Sequence, residues 1–128
     1  TTIWSPLASG ILTGKYNEGI PDDSRLNLPD YEWLRDLWFN EEGQQKLEKV
    51  RELSALAKEV GISMPHLSIA WCLKNPRVST VILGASRLSQ LEDNLKSLDA
   101  MDQLTPEVME KIEAIVDNKP AGPQRFGQ

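Results

Sequence analysis

The stretch STVILG at residues 79–84 constrains the fold more than any other part of the chain. Val81, Ile82 and Leu83 follow one another without polar alternation, which is the pattern of a parallel strand covered on both faces. A parallel strand needs a parallel neighbour and a long crossover to reach it. The neighbour is TTIW at 1–4, short and β-branched, which reads as the end of a strand and stops at Ser5-Pro6.

Helical patterns fill the space between and after these strands. YEWLRDLWF at 31–39 predicts a short helix with Trp33, Leu34, Leu37 and Trp38 grouped on one side. Asn40 can cap a longer helix whose first turn holds Glu41 and Glu42, where the macrodipole favours acids. Leu47, Val50, Leu53, Leu56, Ala57 and Val60 recur at helical spacing, and Gly61 supplies the stop. A further helix starts at Ser63, carries Pro65 in its first turn, and ends at Asn75-Pro76. After Gly84-Ala85-Ser86 comes a helix with Leu88, Leu91, Leu95 and Leu98 on one stripe. The last helix opens at Thr105-Pro106, carries Val108, Ile112, Ile115 and Val116, and gives way at Asn118 to an irregular tail. The order is therefore strand, long loop, helices, strand, helix, helix, or two β/α units of a parallel α/β architecture. Two strands alone leave open edges and uncovered apolar faces, so further strands are expected beyond this sequence. Thr1, with no Met and no signal-like apolar start, reads as an internal cut through a longer protein.

Composition excludes several classes of function. With 128 residues there is room for one domain, and 40% hydrophobic with 26% charged residues fits an ordinary globular protein. A formal net charge of −5 argues against general binding to nucleic acid or acidic membrane, which selects clustered Lys and Arg. No apolar run approaches the ~20 residues needed to span a bilayer, so membrane insertion is not expected. The single cysteine, Cys72, precludes an internal disulfide and suits a cytoplasmic location.

Two segments place irregular, glycine-containing backbone directly after a strand, where parallel α/β proteins bind ligands. One runs from Ser5 to Tyr16 within a long ordered loop that reaches Asp30; the other runs from Gly84 to Asn94. In the second, a helix starting near Arg87 would offer free N–H groups and the positive end of its dipole to an anion. Ser86 adds a hydroxyl and Arg87 a planar donor suited to phosphate, with Gln90 and Asn94 further along the same face. The same residues also suit an ordinary loop with a serine cap, and spacing alone does not separate the two. In the first segment, Gly10-Ile-Leu-Thr-Gly14-Lys15 invites comparison with a nucleotide P-loop. That comparison fails, because a P-loop has four residues between the glycines and a Ser or Thr after the lysine, where this chain has three and Tyr16. GxGxxG is absent too.

WSPLASGILTGKY at 4–16, then GIPDDSR, YEWL, EEG, SIAWCL and VILGASRLSQLEDN in that order, resembles the aldo-keto reductase superfamily, and within it the voltage-gated potassium channel β-subunit branch. The likeness covers nearly the whole chain. It implies a (β/α)8 TIM barrel, of which residues 1–128 would be the C-terminal portion with strands 7 and 8 and their helices. Residues 1–40 would hold the strand end, cofactor loop and short helix; 41–118 the helices, strand 8 and closing helices; 119–128 the tail. It also implies NADP(H) as cofactor. Trp4, Ser5, Pro6, Leu7, Ala8 and Ser9 match residues that follow the nicotinamide ribose and pyrophosphate, largely through backbone N–H groups. Lys15 would neutralise a phosphate, and Arg25, Ser86 and Gln90 would hold the 2′-phosphate end. Asp93 and Asn94 match a pair that reads the adenine edge, and Gly84 would let the backbone pass close to the cofactor.

Three positions depart from the pattern. Ser9 stands where a cysteine is frequent, Asp93 is one methylene shorter than the usual Glu, and Asp23 replaces an aromatic residue. A carboxylate near phosphates repels them unless it turns to solvent, so Asp23 is not expected to be a ligand. The family's Asp, Tyr, Lys, His tetrad lies on earlier strands, and no catalytic residue is expected here. Tyr16 and His66 are read as structural, Cys72 as an inert core thiol, and Trp33, Trp38 and Trp71 as packing residues. Trp4, by contrast, ends its strand at the cofactor mouth. No metal site is expected. The Glu and Lys alternation over 41–59 reads as a solvated helix face. The resemblance implies an NADPH-dependent reductase of small aldehydes or ketones in the intact parent. Its alternatives are a regulatory subunit that senses NADP(H) beside a potassium channel α-subunit, or a self-associating truncated product. A homo-oligomer, a tetramer in the family, is implied as well.

Overall fold

A computed structural model describes residues 1–122 of the chain; the tail expected at 119–128 lies partly outside them, and its residues 119–122 form no regular element. The strands are β1 (Thr2–Trp4) and β2 (Thr80–Ile82), and the helices are α1 (Glu32–Phe39), α2 (Glu41–Val60), α3 (Met64–Lys74), α4 (Leu88–Leu95), α5 (Ser97–Ala100) and α6 (Pro106–Val116). The strands pair in parallel with Thr2 opposite Thr80 and Trp4 opposite Ile82. Among the described residues these two make up the sheet.

Local chemistry sets the ends of α2, α3 and α6 where the sequence placed them, whereas the helix expected to run through Leu98 breaks at Lys96 into α4 and α5. The Gly43 amide donates to the Asn40 side chain at 2.8 Å, and Ser63 and Thr105 cap α3 and α6 in the same way with Pro just inside each start. Gly61 closes α2 in the left-handed conformation, its amide donating back to the Ala57 carbonyl. α1 and α2 meet at a corner where a Cβ on Gly43 would lie 2.2 Å from the Trp38 carbonyl oxygen, so only glycine fits there. Leu47, Val50, Leu53, Leu56 and Ala57 of α2 bury against Leu67 and Ala70 of α3 and Ile112 of α6. Lys49 ties α2 to α6 by donating to the Val116 carbonyl at 2.5 Å, and Lys111 reaches Glu59 at 3.0 Å. On the solvated face of α2, Lys46 donates to Glu42 at 2.6 Å and holds that carboxyl below its ordinary range.

Several apolar residues do not sit where periodicity puts them. On α1 only Leu34 is buried, with Trp38 partly so, whereas Trp33 is 65% exposed and Leu37 is also in solvent. The reason is that, among the described residues, α1 packs mainly on α2 and on the turn at Arg25–Asn27, which cover one narrow side. Trp71 is likewise exposed rather than packed. β2 is not covered on both faces, Ile82 being 53% exposed, and the stripe of Leu88, Leu91, Leu95 and Leu98 faces solvent throughout. The segment from Ser5 to Asp30, read as irregular, contains short 3-10 turns at Ala8–Thr13 and Arg25–Asn27. It is anchored by Ile11, Tyr16 and Leu26, all buried in the core. Across that anchor, Asn17 donates to the Ser54 hydroxyl at 3.0 Å and Arg51 to the Asn17 carbonyl at 2.8 Å.

A cleft between the loop after β1 and the start of α4

The two strand-end segments face each other across a cleft of about 860 Å³. All the residues matched to cofactor contacts in the sequence line it except Trp4 and Ala8. Trp4 stands 81% exposed at the end of β1, and the Ala8 amide is spent on the Ser5 carbonyl at 2.9 Å, so neither is brought to the cleft.

The first wall is shaped by backbone that side chains rarely adopt. Ser5, Ala8 and Ser9 have φ of 54°, 47° and 58°, a left-handed cluster in residues that are not glycine. Such strain persists only where surrounding structure enforces it, and it gathers at ligand-binding segments. The buried side chains of Ile11 and Tyr16 supply the enforcement. Gly10, at φ 99°, leaves the room that Lys15 uses: a Cβ there would lie 3.0 Å from Lys15 Cε and 3.3 Å from its Nζ. The ammonium folds back to 5.1 Å from the Tyr16 ring centroid, a cation–π contact that holds it beside the loop. The Tyr16 hydroxyl is buried and has no hydrogen-bond partner among the described residues. Arg25 follows buried Ser24, whose hydroxyl donates to the Pro21 carbonyl at 2.6 Å. Neither Lys15 nor Arg25 forms an ion pair among the described residues.

The second wall narrows one expectation. Some of the donors at the start of α4 are taken within the wall: Gln90 Oε1 accepts from the Ser86 amide at 2.9 Å, the Ser86 hydroxyl at 3.0 Å and the Arg87 amide at 3.3 Å. An anion bound by Ser86 would have to displace that side chain, or meet it with the amide group turned about. Gly84 has open space where its Cβ would be. Asn94 is buried at the inner end of the wall. Asp93 is drawn to the protein rather than left open, with Oδ2 3.4 Å from His66 Nε2 and Oδ1 3.5 Å from Lys96 Nζ.

His66, read from the sequence as structural, touches the wall directly. Its Nε2 lies 2.8 Å from the Asp93 carbonyl oxygen. A carbonyl only accepts, so Nε2 carries the proton and His66 satisfies a carbonyl near the C-terminus of α4. No sequence signal pointed to this contact, since the two residues lie on different helices. Arg87, noted for its guanidinium, finds a partner on the opposite wall: its Nη2 is 3.9 Å from Asp23 Oδ2. Cys72 is half-buried on α3, and burial pushes its thiol up.

Comparison with known proteins adds to this geometry. The model of the aldo/keto reductase family matches residues 1–117. A protein of Arabidopsis thaliana, provisionally named as a voltage-gated potassium channel β-subunit, is 47% identical over 126 residues, 98% of this chain and 38% of its own length. A Schizosaccharomyces pombe protein with a similarly provisional channel β-subunit name is 47% identical over 119 residues, 93% of this chain and 34% of its own length. The chain thus spans little more than a third of the length of these relatives.

Proposed function

Since the chain belongs to the aldo/keto reductase family, we propose that its cleft holds NADP(H), and that the chain forms the strand 7 and strand 8 part of a (β/α)8 barrel. One observation carries the cofactor reading: two cations without acidic partners among the described residues, Lys15 and Arg25, line a cleft of about 860 Å³ beside strained backbone at a strand end. That volume falls within the range of small-molecule sites, and the two cations suit phosphate groups. Ser5, Pro6, Leu7 and Ser9 would border the pyrophosphate side with Lys15. Arg25, Ser86 and Gln90 would hold the 2′-phosphate, and Asn94 with Asp93 the adenine. When bound, the cofactor supplies hydride chemistry toward an aldehyde or ketone; the chain's own residues position it. The open sheet edges and the solvent-facing leucines of α4 support a barrel that further strands complete.

Tyr16 is sealed in the core and does not reach a carbonyl in the cleft, and the tetrad of the resembled family has no matching position in this sequence. The chain is therefore proposed to bind cofactor without turning over a carbonyl substrate by itself. A second reading follows from the names of the relatives, in which the bound nicotinamide reports redox state to a channel α-subunit. Both readings need the cofactor.

Titration of the chain with NADPH and NADH, followed by nicotinamide fluorescence, tests the shared premise. NADPH is expected to bind more tightly, and Arg25→Ala to cut that preference about tenfold, as loss of a charge-assisted bond does. Equal affinity for the two nucleotides, or binding of neither, would overturn the assignment. NADPH-dependent reduction of 4-nitrobenzaldehyde by the chain would overturn its expected inactivity.

A further inference from the structure

The cleft contains one contact that holding a cofactor does not require. Asp23, on the loop after β1, and Arg87, at the start of α4, reach toward each other from opposite walls, Oδ2 to Nη2 at 3.9 Å. The other carboxylate of the cleft, Asp93, is occupied on its own side by His66 and Lys96. Lys15 and Arg25 have no acidic partner among the described residues. Among the cleft cations, Arg87 is thus the one whose charge the protein already answers, with an acid from across the opening.

A carboxylate and a phosphate monoester compete for the same planar guanidinium donors. Asp23 is free to leave, because its side chain is 81% exposed and loses little by turning to water. We infer that Asp23 is an internal competitor for Arg87. It holds the guanidinium until a ligand arrives and yields it to the incoming phosphate, so Arg87 joins the anion-binding set and Asp23 sets how strongly a phosphorylated ligand is preferred. This rests on the cofactor reading above and deepens it at the 2′-phosphate end. It also gives a role to the position where an acid replaces the family's aromatic residue. Salt screens the exposed Asp23–Arg87 pair.

The test measures adenosine 2′,5′-bisphosphate against adenosine 5′-monophosphate by calorimetry at low ionic strength, in the wild-type chain, Asp23→Asn, Arg87→Gln and the double variant. Asp23→Asn is expected to tighten the bisphosphate about two- to fivefold, the scale of an exposed ion pair, while leaving the monophosphate unchanged. The gain is expected to shrink with added salt and to disappear in the Arg87→Gln background, since the coupling runs through that guanidinium. Weaker binding by Asp23→Asn would make Asp23 a ligand or a latch and overturn the competitor role. An equal gain for both nucleotides, or one that survives Arg87→Gln, would also overturn it. If the wild type binds neither nucleotide, the cofactor reading falls and this inference with it; if the wild type binds and Asp23→Asn matches it, the inference alone falls.

Discussion

The side of the molecule built from α2, α3 and α6 keeps Leu47, Val50, Leu53, Leu67 and Ile112 out of water, whereas the side built from β1, β2 and α4 leaves Trp4, Ile82, Leu88 and Leu95 in it. The two sides are written with equal regularity in the sequence: leucines recur along α4 as steadily as apolar residues along α2. Periodicity therefore reports that a face is made to be covered, and says nothing of what covers it. Each leucine left half in water forgoes part of the roughly 1.5–3 kcal/mol that full burial would give. The cleft lies along the seam, with its loop rooted in the closed core by Ile11, Tyr16 and Leu26 and its other wall on α4. A rigid wall thus faces one that is less firmly supported.

The largest expected effect breaks the closed side. Leu47→Ala, at a position with no exposure, is expected to cost about 2–5 kcal/mol in urea unfolding, from lost burial and the cavity left behind. Leu95→Ala, the matching change on the open side, is expected to stay within about 0.5 kcal/mol. Similar costs for the two would mean that the α4 stripe is covered in solution, and the contrast drawn here would fail. Next in size is Gly43→Ala at the corner of α1 and α2. A methyl group there meets the Trp38 backbone, so the corner must shift, at a cost of about 1–3 kcal/mol read as a lowered melting temperature. A neutral result would show that α1 is loosely held and belongs with the open side.

How much of this was legible in the sequence depends on the range of the forces involved. Asn40, Ser63 and Thr105 act on amides two or three residues away, and Gly61 terminates α2 through its own backbone, so those boundaries could be read directly. The two walls of the cleft were legible as well, because a loop following a parallel strand has to emerge at the strand's carboxyl end. What could not be read was determined by neighbours distant in sequence. Trp33 and Leu37 match a helix face, but among the described residues no element buries them. Gln90, three residues after Arg87, makes the reach-back half of a capping box, which the sequence hid because Arg87 rather than Ser or Thr stands at the cap. The bonds of His66 to Asp93 and of Asp23 to Arg87 join segments that only the tertiary fold brings together.

The smallest expected effect sharpens the comparison at its boundary. α3 packs on α2 and also on β2 and α4, so Cys72 reports on the helix that both sides share. Burial pushes its thiol up, because the thiolate is the form that loses hydration. A raised value lowers the thiolate fraction around pH 8, and the thiolate is the nucleophile, so alkylation by iodoacetamide is expected to be about three- to tenfold slower in the folded chain than in urea. The rate should climb with pH for longer than that of free cysteine before it levels off. If α3 opens readily because the β2 and α4 side does not hold it, the folded and unfolded rates will converge and the profile will match free cysteine. If copies of the chain cover that side for one another, the rate will fall as protein concentration rises, which separates a self-supporting α3 from one protected only by association.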